Sequence, residues 1–256
     1  MGTPWVVDET PSYAVVFKPP RVHTVPLKGV SGQETLLHWC GGLFPQALQV
    51  RGKHPWEGGI VHRLDYETQG LVLVAKTQAA LAALSAQQQA GAIIKEYTAL
   101  SAKGAVRLPG FPPPFPCGPA PYVITSGFRP YGPGRKAVRP TVTFPERNRK
   151  SRRSGTLDQG RPYLTEILIQ DTTAGLTAFR LRIKRGFRHQ IRCHLAWIGY
   201  PILNDGLYGG LGGVVLPRRT LGFDGADFPA LGLIAEGMRF YDPDSGASRQ
   251  YSLSVL

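Results

Sequence analysis

The sequence predicts an α+β fold. Segments with strand character outnumber helical segments, and the two kinds do not alternate regularly, as they would in a doubly wound parallel sheet. Of the 256 residues, 42% are hydrophobic and 18% are charged, a composition typical of a globular protein with a sizeable core. We therefore expect one domain over residues 1–256, with an irregular insertion at about 104–160.

The first hundred residues contain three strand signals and two helix signals. In chain order we predict a strand that begins at Tyr13 and ends at Pro19-Pro20, a helix at about 33–38, a buried strand over 70–76, a helix over 77–90 and a strand over 93–99. The segment 70–76 is short, apolar and β-branched, which is typical of a buried strand. Ser31 is a candidate cap for the first helix. The second helix is rich in Ala, Leu and Gln, and Gly91 is its stop signal.

The rest of the chain begins with a different texture. Residues 104–160 are dense in Pro, Gly and Arg and show little periodicity. Beyond them we predict strands over 164–169 and 176–183, a helix over 190–198, a turn-rich segment over 200–208, a Gly-rich loop over 211–228, a segment over 231–240 and a short strand near Tyr251. Gly199 and Pro201 are the stop signals of the helix.

The charge of the chain points to a polyanionic partner. Lys and Arg number 30 against 17 Asp and Glu, a net charge of +13. Residues 129–153 hold nine basic residues and one acid, Glu146, which amounts to +8. This stretch is either a solvated, partly disordered loop or an arm that contacts RNA or DNA. We favour the arm because aromatic residues are interleaved with charges of a single sign.

Other classes of protein are less compatible with the sequence. The three cysteines contain no C-x-x-C pair, so neither a disulfide framework nor a cysteine-based zinc site is expected, and a reducing, cytoplasmic setting fits better. Residues 1–13 lack the apolar core of a signal peptide. The longest uncharged run, 108–128, is too rich in proline to be a membrane helix. Without a basic amphipathic helix, no membrane partner is expected, and nucleic acid is the leading partner.

The densest group of chemically active residues lies at 62–70, directly before the predicted strand at 70–76. It contains an imidazole, a guanidinium and two carboxylates: His62, Arg63, Asp65 and Glu67. A carboxylate on a loop that enters a rigid strand is well placed for catalysis, and the adjacent Arg63 would keep Asp65 ionised. The alternative is an ordinary loop that contains an Arg–Asp pair.

A second group lies at 185–194 and a third at 204–209. His189 and His194 are five residues apart, so they do not form the H-x-x-x-H pair of a zinc site, and no metal is expected. Arginines at a strand-to-helix junction suit phosphate or carboxylate binding, although a solvated basic helix start is the alternative. Asp205 is a candidate catalytic acid, but its N-D-G context favours a turn.

Taken together, these groups resemble the signatures of the RluA-type RNA pseudouridine synthases. The signature H-R-L-D-x-x-T-S-G-L stands at 62–71 with Gln69 in place of Ser, and a Lys and Tyr pair stands at Lys95 and Tyr97. The signature G-R-T-H-Q-I-R-x-H-L stands at 186–195, followed by G-x-P-I at 199–202 and D-x-x-Y-G at 205–209. Lys18-Pro19-Pro20 also resembles the start of the family.

This resemblance implies a fold, an activity and a set of site residues. The fold would be that of a pseudouridine synthase catalytic domain, a mixed and mainly antiparallel sheet flanked by helices around a catalytic cleft. Asp65 would be the catalytic aspartate, and Tyr97 would stack on the target base. The family supplies an arginine that pairs with the aspartate, and Phe187 stands at its position. We predict Arg188, one residue later, in this role, with Arg185, Arg63 or an impaired site as alternatives.

The resemblance also implies contacts with RNA. The substrate-binding residues would be His62, Arg63, Thr68, Arg185, His189, Gln190 and Arg192. The partner would be ribosomal or transfer RNA, no cofactor is expected, and we expect a monomer. No S4-like N-terminal domain is expected, because the family motifs begin almost at Met1.

Two rival functions stay open at this point. A glycoside hydrolase would also place a carboxylate at an anomeric carbon, but it would need a second acid, with Glu67 or Asp205 as candidates. A non-catalytic RNA-binding protein of the same fold is suggested by Phe187.

Overall fold

The structure is a computed structural model, and it describes residues 2–27, 32–102, 108–142, 161–209 and 230–253. The chain forms two compact units. The first unit consists of Met1–Thr98 and Gly213–Leu256, and the second consists of Ala99–Gly212. That the whole chain makes up one domain stays a prediction.

The first unit contains a mixed sheet. Its strands are β1 (Trp5–Glu9), β2 (Tyr13–Lys18), β3 (Gln69–Ala75), the first part of β4 (Ile94–Ala102), β9 (Leu233–Tyr241) and β10 (Ser248–Ser252). The order is β1-β2-β3-β9-β4, with β10 also paired to β9. The β3–β9 pair is parallel, and β1–β2, β2–β3 and β9–β10 are antiparallel.

Three helices belong to the first unit: α1 (Leu36–Leu43), α2 (Pro45–Gln49) and α3 (Gln78–Ala90). Helix α3 confirms the prediction at 77–90: the Thr77 side chain accepts from Ala80 N, and Gly91 ends the helix in the left-handed region at φ 73°. The predicted helix at 33–38 is displaced. Its cap is Thr35, whose hydroxyl accepts from His38 N, and the helix continues to Leu43.

The second unit has an antiparallel sheet in the order β8-β7-β5-β6. The strands are β5 (Tyr122–Tyr131), β6 (Ala137–Thr141), β7 (Tyr163–Thr173) and β8 (Leu176–Ile183), and one helix follows, α4 (Gln190–Trp197). The predictions for β8 and α4 are confirmed. Two strands within 104–160, β5 and β6, were not predicted, because proline, which is rare in strands, lies in both of them.

Each unit has its own core. In the first unit, apolar side chains of β2 and β3 pack with Leu81 and Leu84 of α3. In the second unit, Phe128 and Val138 pack with Tyr163, Cys193 and Tyr208. The sheets therefore bury one face against helices, which confirms the predicted α+β class.

Some sequence-based predictions fall outside the described residues. These are the cap at Ser31, the loop over 211–228 and the part of the basic stretch from 143 onward. Within the described ranges, no helix has the length and apolar character needed to cross a membrane.

Candidate active site

Asp65 lies on a loop that the surrounding backbone holds on both sides. Before it, Leu64 N donates to Thr24 Oγ1 (3.2 Å), and Thr24 Oγ1 donates to Leu64 O (2.9 Å). After it, Thr68 N donates to Asp65 O at 3.1 Å. The loop then enters β3 at Gly70, where φ is 126° and a Cβ would lie 2.2 Å from Ala235 O. Only glycine fits there, so the strand that follows Asp65 can approach β9 closely.

Lys18, the last residue of β2, is a fully buried cation next to this loop. Its Nζ donates to Pro19 O (2.9 Å), Val22 O (2.8 Å) and Tyr66 O (3.4 Å). Burial lowers the pKa of Lys18 to about 7, and the negative charge of Asp65 opposes that shift. The lysine therefore ties the backbone on either side of Asp65 together and interacts with its carboxylate.

Tyr97, on β4, is the aromatic residue whose electrostatics are coupled to Asp65. Its side chain is 6% exposed. Burial raises the pKa of Tyr97 well above its usual range, and the negative charge of Asp65 adds to the shift. The phenol is therefore neutral at physiological pH, and it offers an apolar ring near a carboxylate.

His62 and Lys95 form a second polar layer in the first unit. Leu73 N donates to His62 Nε2 at 3.3 Å, and Lys95 Nζ donates to Gln88 Oε1 at 3.0 Å. Desolvation of the ring, together with the charge of Lys95, lowers the pKa of His62 well below its usual range. Burial lowers the pKa of Lys95 to about 8. His62, predicted to bind substrate, is thus a neutral ring that fixes β3.

The remaining predicted residues of this loop differ in their surroundings. Arg63 is 59% exposed and lies 3.7 Å from Glu57. Thr68 and Gln69 are buried. Within the described part of the chain, Thr68 Oγ1 and both polar atoms of the Gln69 amide have no hydrogen-bond partner. They keep unused hydrogen-bonding capacity directly after the Asp65 loop.

In the second unit, Gln190 begins α4 and holds the loop that precedes it. Gln190 Oε1 accepts from Phe187 N at 3.0 Å, and Nε2 donates to Leu164 O at 2.9 Å and to Thr165 Oγ1 at 3.1 Å. His189 has φ 55°, and its Nδ1 lies 3.2 Å from Tyr208 Oη. Both residues, predicted to bind substrate, use these polar atoms within the protein.

The arginines of the second unit have separate surroundings. The guanidinium of Arg185 lies 5.1 Å from the centre of the Tyr163 ring. Arg188, predicted to pair with Asp65, donates from Nη2 to Arg135 O (2.9 Å) and Ala137 O (3.3 Å). Its role as the partner of Asp65 stays a prediction.

Arg192, predicted to bind substrate, is buried in an ion pair with Asp205. Nε donates to Oδ2 and Nη2 donates to Oδ1, both at 2.7 Å. Asp205 Oδ1 also accepts from Leu207 N and Tyr208 N. Asp205 therefore organises a turn, as its N-D-G context predicts, and both side chains are committed to each other.

Sequence analysis singled out Lys18 only as part of the opening of the family and assigned it no place in the site. A detectable signal was present, because Lys18 is the one charged residue of the otherwise apolar segment Tyr13–Lys18. In the described ranges, no three His, Cys, Asp or Glu side chains are grouped so as to hold a metal ion. The chemistry on view is that of a carboxylate on a fixed loop, which can act as nucleophile or base.

Comparison with known proteins adds the family context. Residues 12–197 match the family model described as RNA pseudouridylate synthase. Among curated relatives, "Ribosomal large subunit pseudouridine synthase D" of Haemophilus influenzae is 32% identical over 207 residues, covering 80% of this chain and 52% of the relative. The protein of the same name from Escherichia coli (strain K12) is 29% identical over 205 residues, covering 77% and 52%. The chain thus spans about half the length of these relatives.

Solved structures show the same fold. "Human RNA Pseudouridylate Synthase Domain Containing 1" superimposes with a TM-score of 0.61 at 20% identity, covering 98% of this chain and 83% of the other. "Human RNA Pseudouridylate Synthase Domain Containing 4" gives a TM-score of 0.59 at 17% identity, covering 98% and 88%.

Proposed function

The chain belongs to the RNA pseudouridylate synthase family, and we propose that it isomerises specific uridines of ribosomal or transfer RNA to pseudouridine. The observation that carries the proposal is the Asp65 loop. It presents the family signature at 62–71, it is fixed by backbone contacts, and its carboxylate interacts with Lys18 and Tyr97. The curated relatives are named for the large ribosomal subunit, so large-subunit ribosomal RNA is the first substrate to test.

The chemistry needs one carboxylate and no group donor. The N1–C1′ bond of uridine breaks, the base turns, C5 bonds to C1′, the C5 proton leaves and N1 gains a proton, so the product is an isomer of the substrate. Asp65 acts as nucleophile at C1′ or as base at the 2′ position, and both roles use its ionised form. Tyr97 stacks on the base, which must leave its RNA stack to reach the carboxylate.

An arginine that keeps the aspartate anionic completes the proposed site. Arg188 is the residue predicted from the sequence, with Arg185 and Arg63 as alternatives. Replacing Arg188 by Ala tests the assignment: a catalytic arginine lowers the rate at saturating RNA, whereas wild-type activity in this variant would refute the role.

The rival functions make different demands on the chain. A glycoside hydrolase needs a second accessible acid, and Asp205 is buried in its pair with Arg192. A net charge of +13 suits an RNA partner better than a neutral sugar. We also propose that the protein acts as a monomer in the cytoplasm, which size-exclusion chromatography and fractionation would test.

The decisive experiment follows release of tritium from RNA labelled at C5 of uridine. We expect release by the wild type and none by Asp65→Asn. Glu67→Gln is the matched control, because it removes a neighbouring carboxylate, and it should retain release. Retained RNA binding without release by the wild type would favour the non-catalytic binding protein, and loss of release in Glu67→Gln alone would favour a different catalytic acid.

A further inference from the structure

The hairpin formed by β5 and β6 carries positive charge without any compensating acid. We call residues 122–141 the basic hairpin. It contains four cations, Arg129, Arg135, Lys136 and Arg139, and the sequence has no Asp or Glu between residues 97 and 145. Arg129, Arg135 and Lys136 are exposed. A surface with one sign of charge attracts a polyanion.

Two of these cations are placed directly opposite each other. Arg129 on β5 pairs with Arg139 on β6, and like charges at facing positions destabilise a sheet. Arg139 is held in place, because its Nη1 donates to Gly110 O at 2.7 Å. The arrangement is unfavourable for the isolated protein, and an anion bound between the two guanidinium groups would relieve it.

An aromatic ring accompanies the two arginines. Tyr131 is two residues beyond Arg129 on the same strand, so its side chain belongs to the same face. Its ring packs edge-on against Phe111, with the ring centres 5.8 Å apart, and it is partly exposed. Cations next to an aromatic ring are the combination that binds single-stranded nucleic acid, because phosphates and bases each find a partner.

The tip of the hairpin presents the other two cations. Gly132, Gly134 and Arg135 all have positive φ, and that of Arg135 is 54°. Within the described residues, the side chains of Arg135 and Lys136 make no hydrogen bond or ion pair. The tight turn therefore displays both charges to solvent.

The hairpin is fastened to the loop between β8 and α4 by the two residues that depart from the family signature. Phe187 stacks on Phe128 of β5, with ring centres 5.0 Å apart and planes within 8°. Arg188 Nη2 donates to the carbonyl oxygens of Arg135 and Ala137 at the start of β6. One residue thus grips β5 and the next grips β6.

We propose that the basic hairpin binds the phosphate backbone of the RNA substrate, in an unpaired segment, and that Phe187 and Arg188 are positioning residues that hold the hairpin for this contact. The proposal rests on the proposed function for the identity of the RNA. It assigns the G-F-R departure from the G-R-T signature a purpose, which is to anchor a surface built from this chain's own β5 and β6.

The test measures binding of a labelled oligouridine and of a labelled large-subunit ribosomal RNA fragment by fluorescence anisotropy. In the double variant Arg129→Glu/Arg139→Glu we expect the Kd to rise about tenfold, and the slope of log Kd against log salt to fall by about 1 to 2 because phosphate contacts are lost. The matched control is Arg51→Glu/Lys53→Glu, which makes the same change of charge at exposed positions in the first unit, and its Kd should stay within about twofold of the wild type.

Several results would overturn the inference. One is an equal change of Kd in the hairpin variant and the control. Another is competition by polyglutamate as effective as that by RNA at equal charge, since it would indicate an acidic polypeptide as the partner. For the positioning role, Arg188→Ala should raise the Kd for RNA, and an unchanged Kd would refute it.

Tritium release separates this inference from the proposed function. If the hairpin variant binds RNA weakly but releases tritium at saturating RNA, both stand. If the wild type binds RNA through the hairpin and releases no tritium, the proposed function fails and the RNA surface stands. If the wild type releases tritium and the hairpin variant matches the control, only the present inference fails.

Discussion

Arg192 and Asp205 form a bidentate ion pair whose side chains are 2% and 0% exposed. Two parallel hydrogen bonds of 2.7 Å join them, and the guanidinium lies 5.7 Å from the centre of the Tyr208 ring. The pair connects α4 to the turn at 204–209. Its partners are complementary in charge and geometry, so neither charge is left uncompensated inside the second unit.

Breaking this pair should be costly. We expect Asp205→Asn to lower the free energy of unfolding by about 3–5 kcal/mol, because it leaves the buried guanidinium without its counter-charge. Urea denaturation followed by circular dichroism measures the change. The control is Glu166→Gln, which removes a partly exposed pair with Arg182 at 3.7 Å and should cost about 1 kcal/mol or less. Equal losses in the two variants would contradict the structural role of Arg192.

Phe187 should contribute stability rather than chemistry. Its ring stacks on Phe128 and lies 5.1 Å from the Tyr163 ring. We expect Phe187→Ala to cost about 1–3 kcal/mol, less than for a fully buried phenylalanine because the side chain is half-exposed. Phe187→Arg, which restores the family residue, should destabilise the protein as well. Leu176→Ala, at an exposed position in β8, is the control, and a smaller loss in Phe187→Ala than in this control would refute the assignment.

The buried Lys18 predicts a rise of stability with pH. Its pKa is about 7 in the folded protein, lowered by burial from the usual 10.5. Between these values the unfolded chain holds a proton that the folded protein has lost, so unfolding becomes less favourable as pH increases, by up to about 1.4 kcal/mol per pH unit. Lys95, with a pKa of about 8, acts in the same direction. Lys18→Met should flatten the curve of unfolding free energy against pH above about 7, and parallel curves for variant and wild type would disprove the shift.

His194 predicts a loss of stability in acid. The ring is fully buried, its Nε2 lies 2.8 Å from Ser126 Oγ and its Nδ1 lies 2.8 Å from Thr165 Oγ1. Burial lowers its pKa from the usual 6.5 to about 3. Between these values only the unfolded chain takes up the proton, so stability falls as pH drops through this window, by up to about 1.4 kcal/mol per pH unit. His194→Gln should be less stable at neutral pH but less sensitive to acid, and an unchanged acid slope would count against the prediction.

Local signals explain which elements were predictable. Helix α3 has a threonine cap and a glycine stop at its ends, and the strand signal at 176–183 coincides with β8. Strand β6 contains Pro140 opposite Phe128 of β5, and proline there obscured the strand signal. Helix α1 was displaced because its cap, Thr35, follows two residues with good helix propensity, Gln33 and Glu34.

By itself, the sequence determined the α+β class, the family and the catalytic candidate Asp65, because short ordered motifs and local periodicity are written in consecutive residues. Only the tertiary structure decided which groups partner the charges: Lys18 with the Asp65 loop, Arg192 with Asp205, and Arg188 with carbonyl groups more than fifty residues away. The physical reason is that a buried charge takes whichever partner the packing brings within hydrogen-bonding distance, and local sequence does not encode that partner.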